Sequence, residues 1–328
     1  MHALSRRRWL AACAAVLPAA SAARSVAAAP FPQRPVRIVV PYSVGVGPDV
    51  VARAVAEQLT TAWNQPVLVD NKPGAAGIVA FGDVRRTAPD GHTLYLADTA
   101  TLAVNPLLHT SLPYDPVRDL EPLTLLFRAT FLLWVGARNR FTTLAALMAG
   151  ARRAPGQVSY ATLGNGHASH IAVETFARAA GLHMLHVPFK DAGALMTSVV
   201  AGDVDFTTFS MNTVAGLYAG GRLRPLAVAA AQRLAVHPEI PTLAQAGGPA
   251  VEMHPWAGLV TVAGTPAPLL ERLQADLATA LASTRVRSQA ELAGFEITPS
   301  SPQALRARMD ADAALVRPLL DEGRIARV

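Results

Sequence analysis

The sequence predicts an α/β protein built as two lobes around one cleft. Three observations predict it. Short β-branched runs alternate with helix-length segments, a second such alternation follows a long apolar stretch in mid-chain, and glycine turns stand where strands end and helices begin. At 328 residues, 51% hydrophobic and 16% charged, the chain is too apolar for disorder and long enough for about two cores.

The first 29 residues read as an export signal. "MHALSRRRWLAACAAVLPAASAARSVAAAPFP" has a basic start, an apolar stretch from Trp9 to Ala20, and small-residue cleavage options after Ala22 or near Ala28 and Ala29. Ser5-Arg6-Arg7-Arg8-Trp9-Leu10 fits a twin-arginine-like pattern, and a charged Sec signal reads similarly. Only four residues separate Cys13 from Arg8, too few for a lipoprotein signal, so Cys13 is an ordinary apolar residue of the leader. The mature protein then has no cysteine for a disulfide, a thiol nucleophile or a thiolate metal site. No later stretch is apolar enough to span a membrane, and the expectation is a soluble exported protein.

Removing the leader also removes most of the basic character. The formal net charge of +6 includes Arg6, Arg7, Arg8 and Arg24, and without these four it falls to +2. The remaining cations are dispersed among acids without aromatic interleaving, which argues against nucleic acid as a partner.

Past the leader, "VRIVV" (36–40) leads to a helix from about Asp49, "PVLVD" (66–70) to one from about Ala75, and "TLYLAD" (93–98) to another near "ATLAV". This order predicts a mainly parallel sheet. From about Leu120, "LEPLTLLFRATFLLWVG" is long enough to cross between lobes. The second series is "QVSYATL", a helix from about Ala168, "HMLHVPF", a helix from about Ala192, "DVDFTTF", a helix near 212–219, and "LRPLAVAA". The C-terminus is helical in "PAPLLERLQADLATAL" and "SPQALRARMDADAALVRPLLDEG", each opened by Thr or Ser with Pro near the first helical position. The domains expected are residues 30–131 with 253–328 as the first lobe and 132–252 as the second. Crossovers near Leu132 and near Ala250 to Gly258 serve as hinges.

"VVPYSVGVGPDVVARAVAEQL" (39–59) is a strand, a glycine turn and a helix, and it invites a dinucleotide reading. Gly45-x-Gly47 follows the strand, and Asp70 ends the next strand, where a ribose-binding acid would lie. Against an exported Rossmann-type oxidoreductase, the third glycine position is Val50, Pro48 has no N–H to offer pyrophosphate, and Asp49 would repel it. The same geometry suits a carboxylate, because turn amides and the positive end of a helix attract any small anion; the local physics does not choose between the two. Further glycine turns in "NKPGAAG" (71–77) and "TLGNGHASH" (162–170) make a two-sided solute trap.

The ordered set "RPVRIVVPY…GPDVVAR", "QPVLVDNKPGAAG", "APDGHTLYLAD", "LAVNPLLHTSLPYDP", "GNGHASHIAVE", "HMLHVPFKDAG", "AGDVDF", "GRLRPLAVAA" and "HPEIPTLAQAG" resembles the Bordetella uptake gene family from about Phe31 to Arg324. These are periplasmic solute receptors of tripartite tricarboxylate transporters. The resemblance implies a type II periplasmic-binding-protein fold whose two α/β lobes close on a carboxylated metabolite. It also implies no metal or organic cofactor, no catalysis, a monomer, and delivery of the ligand to membrane permease subunits. Carried over by position, it implies first-lobe contacts at Tyr42, Ser43, Gly45, Val46 and Asp49, with Thr99 and Ala100. The second lobe would add Thr162, Gly164, Asn165, Gly166, His167, Ser169, Phe189, Lys190 and Asp191, and the pair Phe209 and Ser210.

The chain departs from that pattern at three places. Relatives commonly read "PGGPTD" where this chain has "SVGVGPD", so Val46 replaces a glycine and narrows the mouth or displaces a bridging water. "GNGHASH" puts His167 where a threonine hydroxyl is usual, and Phe209-Ser210 replaces an Asp-Asn pair. Loss of that acid argues against an amino-acid ligand and for an aromatic or otherwise hydrophobic monocarboxylate.

Simpler roles exist for several of these residues. The glycines, Gly47 included, serve positive-φ turns; Asp49 serves as a helix N-cap as well as a shaper of the loop; and "PYDP" (113–116) is a proline-framed turn. His167, His170 and Glu174 have the spacing of one helix face and are the main metal candidate, with capping and core hydrogen bonding as the alternative. His183 and His186 fall on opposite faces of a strand. No G-x-S-x-G elbow is present, so an exported α/β enzyme has no positive support.

Overall fold

The computed structural model describes residues 31–328, and the export signal assigned to residues 1–29 lies outside the described residues. The first series is β1 (Val36–Val40), α1 (Gly47–Trp63), β2 (Val67–Asn71), α2 (Ile78–Val84), β3 (Thr93–Asp98), α3 (Asn105–Leu108), α4 (Pro116–Asp119) and β4 (Leu120–Arg128). The second is β5 (Phe131–Gly136), α5 (Leu144–Arg153), β6 (Ser159–Thr162), α6 (Ala168–Ala180), β7 (Leu185–Pro188), α7 (Ala192–Ala201), β8 (Phe206–Ser210), α8 (Ala215–Ala219) and β9 (Leu223–Val228). The chain then returns through β10 (Trp256–Val262), α9 (Ala267–Ala282), α10 (Thr284–Leu292), β11 (Glu296–Ile297) and α11 (Pro302–Asp321).

Two sheets result, ordered β11-β4-β10-β3-β1-β2 and β7-β6-β8-β5-β9. Both are mixed, which corrects the expectation of a mainly parallel sheet. β1 runs parallel to β2 and β3, and β6 to β7 and β8, but β10 and β5 are antiparallel to both of their main neighbours. The reason is the path of the chain. β5 and β10 each enter a sheet directly from the other one, so each starts at the end where the helix-connected strands finish: Phe131 pairs with Ser210, and Ala257 with Asp98.

Each sheet is covered on both faces, which is why its strands read as continuous apolar runs. In the first, Val36, Ile38 and Val40 pack with Leu59 of α1, Leu277 of α9 and Val286 of α10, while Val39 and Tyr95 pack with Phe81 of α2 and Leu305 of α11. In the second, Leu133 and Val135 meet Leu147 of α5 and Phe176 of α6, while Leu132 and Trp134 meet Leu195 and Val199 of α7.

The strand orders also place the site. β1 has β2 on one side and β3 on the other, and β6 likewise has β7 and β8, so each sheet has a point where consecutive connections diverge. Crevices open at the carboxyl ends of strands at such points. The chain passes between sheets at Ala129–Thr130 and Met253–Pro255, where Ala129 N–H donates to Pro255 O at 2.8 Å and Phe131 N–H to Met253 O at 3.1 Å. Leu132, near which a hinge is expected, is itself fully buried inside β5 and paired with Phe209 and Val228, so the connection lies just before it. Trp256 to Gly258 are likewise ladder residues of β10 rather than a connection.

Candidate functional site

A cleft of about 1110 Å³ lies where the two sets of strand ends face each other. The loop after β1 supplies Tyr42, Ser43, Gly45 and Val46, and the end of β3 supplies Asp98, Thr99 and Ala100. The second sheet supplies Leu163, His167 and Ala168 after β6, Lys190 and Asp191 after β7, and Phe209, Ser210, Asn212 and Thr213 at the end of β8. Phe131, Pro255 and Trp256 line the connection side, and Gln289, Leu292, Ala293 and Phe295 the rim.

The first loop is organised from beneath. Gly45 sits at φ 83°, a conformation open chiefly to glycine, and its N–H donates to the Asp49 carboxylate at 2.8 Å. Asp49 is 1% exposed and also accepts from Arg53 Nε at 3.0 Å and Asn71 Nδ2 at 2.8 Å. Burial pushes its pKa up, but these three hydrogen bonds outweigh burial and the net direction is down. Asp49 is thus neither the N-cap nor a wall of the cleft. The N-cap is Val46, which brings no side-chain acceptor, so α1 points an uncapped end at the cleft. Gly47 is corrected too: it does not have positive φ, and its need for glycine is spatial, since an added Cβ would stand 2.8 Å from the Phe295 ring.

At the end of β3, Asp98 Oδ1 accepts from Thr101 N–H at 2.8 Å and Thr101 Oγ1 at 2.9 Å, anchoring the helical turn Ala100–Val104. Asp98 Oδ2 accepts from the Tyr42 hydroxyl. Burial first, and the Asp98 charge second, raise the Tyr42 pKa well above its ordinary value, so this hydroxyl keeps its proton and remains a donor. Thr99 Oγ1 lies 3.3 Å from the Trp256 carbonyl oxygen and ties β3 to the start of β10.

His167 is the N-cap of α6, its Nδ1 accepting from Ser169 N–H at 3.1 Å and lying 2.8 Å from Ser169 Oγ. Burial lowers its pKa to about 4, with the Asp98 charge pulling weakly the other way, so it is neutral at neutral pH. The metal candidate dissolves into separate partnerships. His170 Nδ1 accepts from Gly166 N–H at 3.2 Å and its ring stacks on His186 at 3.8 Å, while Glu174 accepts from Tyr160 at 2.5 Å and Arg324 at 3.1 Å. Among the described residues no group of three His, Cys, Asp or Glu side chains could hold a metal ion. His183 lies outside β7, so the two-face argument made for it with His186 does not apply.

Of the residues expected at the site, Tyr42, Ser43, Gly45, Val46, Thr99, Ala100, His167, Lys190, Asp191, Phe209 and Ser210 line the cleft. Asp49, Thr162, Gly164, Asn165, Gly166, Ser169 and Phe189 do not. Thr162 is buried with its hydroxyl 2.5 Å from His186 Nε2, Ser169 is buried beneath His167, and Phe189 packs against the α7 side of the second core. The glycine loop after β6 turns toward the first lobe instead: Asn165 Nδ2 donates to Ala326 O at 2.8 Å and Gly166 abuts Leu108.

Sequence reasoning missed Asp98, Trp256, Asn212, Thr213 and the Gln289 to Phe295 rim. Asp98 was within reach, since it ends a strand beside the Tyr42 loop; the rim comes from a helix more than two hundred residues away and carries no local signal. Asp98 also brings to the cleft an acid that the argument against an amino-acid ligand, made from Phe209 and Ser210 alone, did not take into account. The cleft as a whole offers hydroxyl and amide donors, one lysine, an uncapped helix end, and apolar walls from Phe131, Leu163, Phe209, Trp256 and Phe295. That combination suits a small anion with an apolar body.

Residues 51–321 match the family described as tripartite tricarboxylate transporter family receptor. The chain is 32% identical over 303 residues to a UPF0065 protein encoded in the tcbD-tcbE intergenic region of Pseudomonas sp. strain P51, covering 92% of this chain and 90% of that protein. It is 30% identical over 284 residues to BugT of Bordetella pertussis, covering 86% and 87%. Among solved structures, a protein of R. palustris with adipate superposes at a TM-score of 0.80 with 28% identity, covering 91% of this chain and all of that one. MatC of Rhodopseudomonas palustris with bound malate superposes at 0.74 with 28% identity, covering 87% and 98%.

Proposed function

The chain belongs to the tripartite tricarboxylate transporter receptor family, with the two-lobed type II fold of periplasmic binding proteins, and we propose that it captures a small carboxylate in the periplasm by closing its lobes and hands it to membrane permease subunits. The observation that carries this reading is the convergence of helix starts from both sheets on one cleft: Gly47 and Pro48 of α1, Ala168 of α6 and Ala192 of α7 all line it. The uncapped α1 end supplies positive potential and amide donors without a cofactor or a catalytic group, while at α6 and α7 the capping residues His167 and Asp191 each engage one amide. The adipate and malate held by the two related proteins support a carboxylate here.

The two lobes, each built on one of the two sheets, act as bodies in this reading. Ladder hydrogen bonds fix β4, β5 and β10, so the angle change falls on Ala129–Thr130 and Met253–Pro255. The ligand's anionic group meets Lys190, Ser43, Thr99 and the α1 end, and an aromatic or aliphatic body meets Phe131, Phe209 and Trp256. Binding stabilises the closed arrangement by its differential affinity for it.

Trp256 lines the cleft and Trp134 is fully buried behind it, so Trp256 is the reporter. Mass spectrometry of what co-purifies with the protein, followed by fluorescence titration with benzoate, 3-phenylpropanoate, adipate and malate, tests the reading. Saturable quenching or enhancement by at least one carboxylate is expected. Turnover of a substrate, with no response to any carboxylate, would sink it in favour of an enzyme.

A further inference from the structure

We propose that Asp98 selects the ligand: it accepts a hydrogen bond from a hydroxyl or ammonium group on the bound carboxylate, and it keeps a second carboxylate out of that part of the cleft. This rests on the receptor reading above and narrows it.

An ionised carboxylate has about four acceptor positions. Thr101 N–H and Oγ1 occupy Oδ1, and the Tyr42 hydroxyl is one donor to Oδ2, so one acceptor position remains on a side chain that lines the cleft. Anchoring the helical turn requires only the Oδ1 acceptor, which an asparagine would also provide. The charge on Oδ2 therefore exceeds what the fold asks of this position.

The rest of the lining leaves that charge open to a ligand. Lys190 is the one Lys or Arg side chain lining the cleft, and it makes no ion pair among the described residues. Asp191 spends its Oδ1 on capping α7, accepting from Ala194 N–H at 2.8 Å. His167 donates no charge at neutral pH. A ligand with one carboxylate and one donor meets complementary groups at both ends. A dicarboxylate would face Asp98 with its second charge in a cleft poor in cations, and like charges brought together across an interface disfavour binding.

The test uses the purified mature chain and calorimetry with two fixed skeletons. The first is hexanoate, 6-hydroxyhexanoate, 6-aminohexanoate and adipate; the second is 3-phenylpropanoate, its 2-hydroxy and 2-amino derivatives, and phenylsuccinate. Within at least one skeleton the hydroxyl or ammonium member should bind roughly 10- to 100-fold tighter than the unsubstituted acid, as expected for a hydrogen bond to a charged acceptor. The two arms tell hydroxyl from ammonium. Asp98→Asn should erase that preference, read as the ratio of the substituted to the unsubstituted acid's affinity within the variant, and should raise the dicarboxylate's affinity relative to the unsubstituted acid. Tyr42→Phe, which frees Oδ2 of its internal donor, should keep the preference or increase it.

Equal affinity across each skeleton in the wild-type chain, or an unchanged preference in Asp98→Asn, overturns the proposal. Should Asp98→Asn not fold, the wild-type series and Tyr42→Phe decide it: a preference abolished in Tyr42→Phe counts against Asp98 as the acceptor. Absence of binding for every carboxylate in both skeletons overturns the receptor reading itself, which keeps the two failures apart.

Discussion

The backbone N–H of Gly45 donates to the carboxylate of Asp49 at 2.8 Å, so the glycine turn over the cleft is held from below by its own helix. The amide that sequence reasoning offered to a ligand is already engaged. What remains for an anion is the uncapped start of α1 beside it, a smaller and more directional site than a phosphate cradle.

Asp49→Ala should therefore act on the fold and on binding together. It removes the acceptor shared by Gly45 N–H, Arg53 Nε and Asn71 Nδ2, leaving Asn71 Nδ2 only its bond to the Tyr42 carbonyl, at a cost of about 1–3 kcal/mol, read as a lower midpoint in thermal or urea unfolding. Carboxylate affinity should fall in the folded fraction as the loop loosens. An unchanged midpoint would mean the turn is held by something else.

Val46 is 41% exposed on the cleft wall and caps α1 with an extended backbone that any residue adopts. Val46→Gly should leave stability nearly unchanged. It should weaken an aromatic carboxylate by about three- to tenfold through lost apolar contact, with a smaller effect on a short aliphatic acid. Calorimetry with benzoate and acetate compares the two, and equal losses would assign Val46 to the backbone rather than to the ligand.

Stability should decline as pH falls from about 6.5 toward 4, with His167 and His170 as the main source. Burial lowers their pKa to about 4 and about 3, so in this window the unfolded chain binds protons that the folded chain does not. Each contributes a slope of at most about 1.4 kcal/mol per pH unit, with the stabilising, neutral form complete only above the unfolded value. His186 shifts in the same direction, also by burial. Asp49 acts lower still: its depressed pKa means its contribution persists through this window and is lost only as pH falls through the folded value. Urea midpoints from pH 7 to 4 should show the decline, and His170→Gln should flatten it.

Asn212 Nδ2 donates to the Glu291 carbonyl at 2.7 Å, joining the second lobe to α10 of the first at the mouth of the cleft. Asn212→Ala should shift the free protein toward a wider opening, seen as a larger radius of gyration by small-angle scattering, and should weaken ligand binding severalfold by lowering the closed population. An unchanged radius with unchanged affinity would show that this contact carries no part of closure.

The element order was legible because it rests on local signals. β3 follows "TLYLAD" residue for residue, and α6 and α7 begin at Ala168 and Ala192, where the helix-length segments were expected to start. The sheets were not legible as mixed, because strand direction depends on how the chain re-enters a sheet and "WAGLVTV" looks the same either way. The connection between the sheets lies at the two residues before β5 rather than at Leu132 itself for a related reason: an apolar run says that residues are buried, not which of them are laddered.

The cleft divides along the same line. By itself the sequence determined the α/β class, the export leader as an expectation, and the loops that supply most of the cleft, since strand ends and glycine turns are marked by neighbours in the chain. Only the tertiary structure decided which side chains those loops aim inward. It turned Asp49 beneath its turn, sent Asn165 to the C-terminal tail, and brought Asp98 and Trp256 to one wall. Those choices rest on contacts between residues far apart in sequence, where packing and the satisfaction of buried polar groups, rather than local propensity, set the geometry.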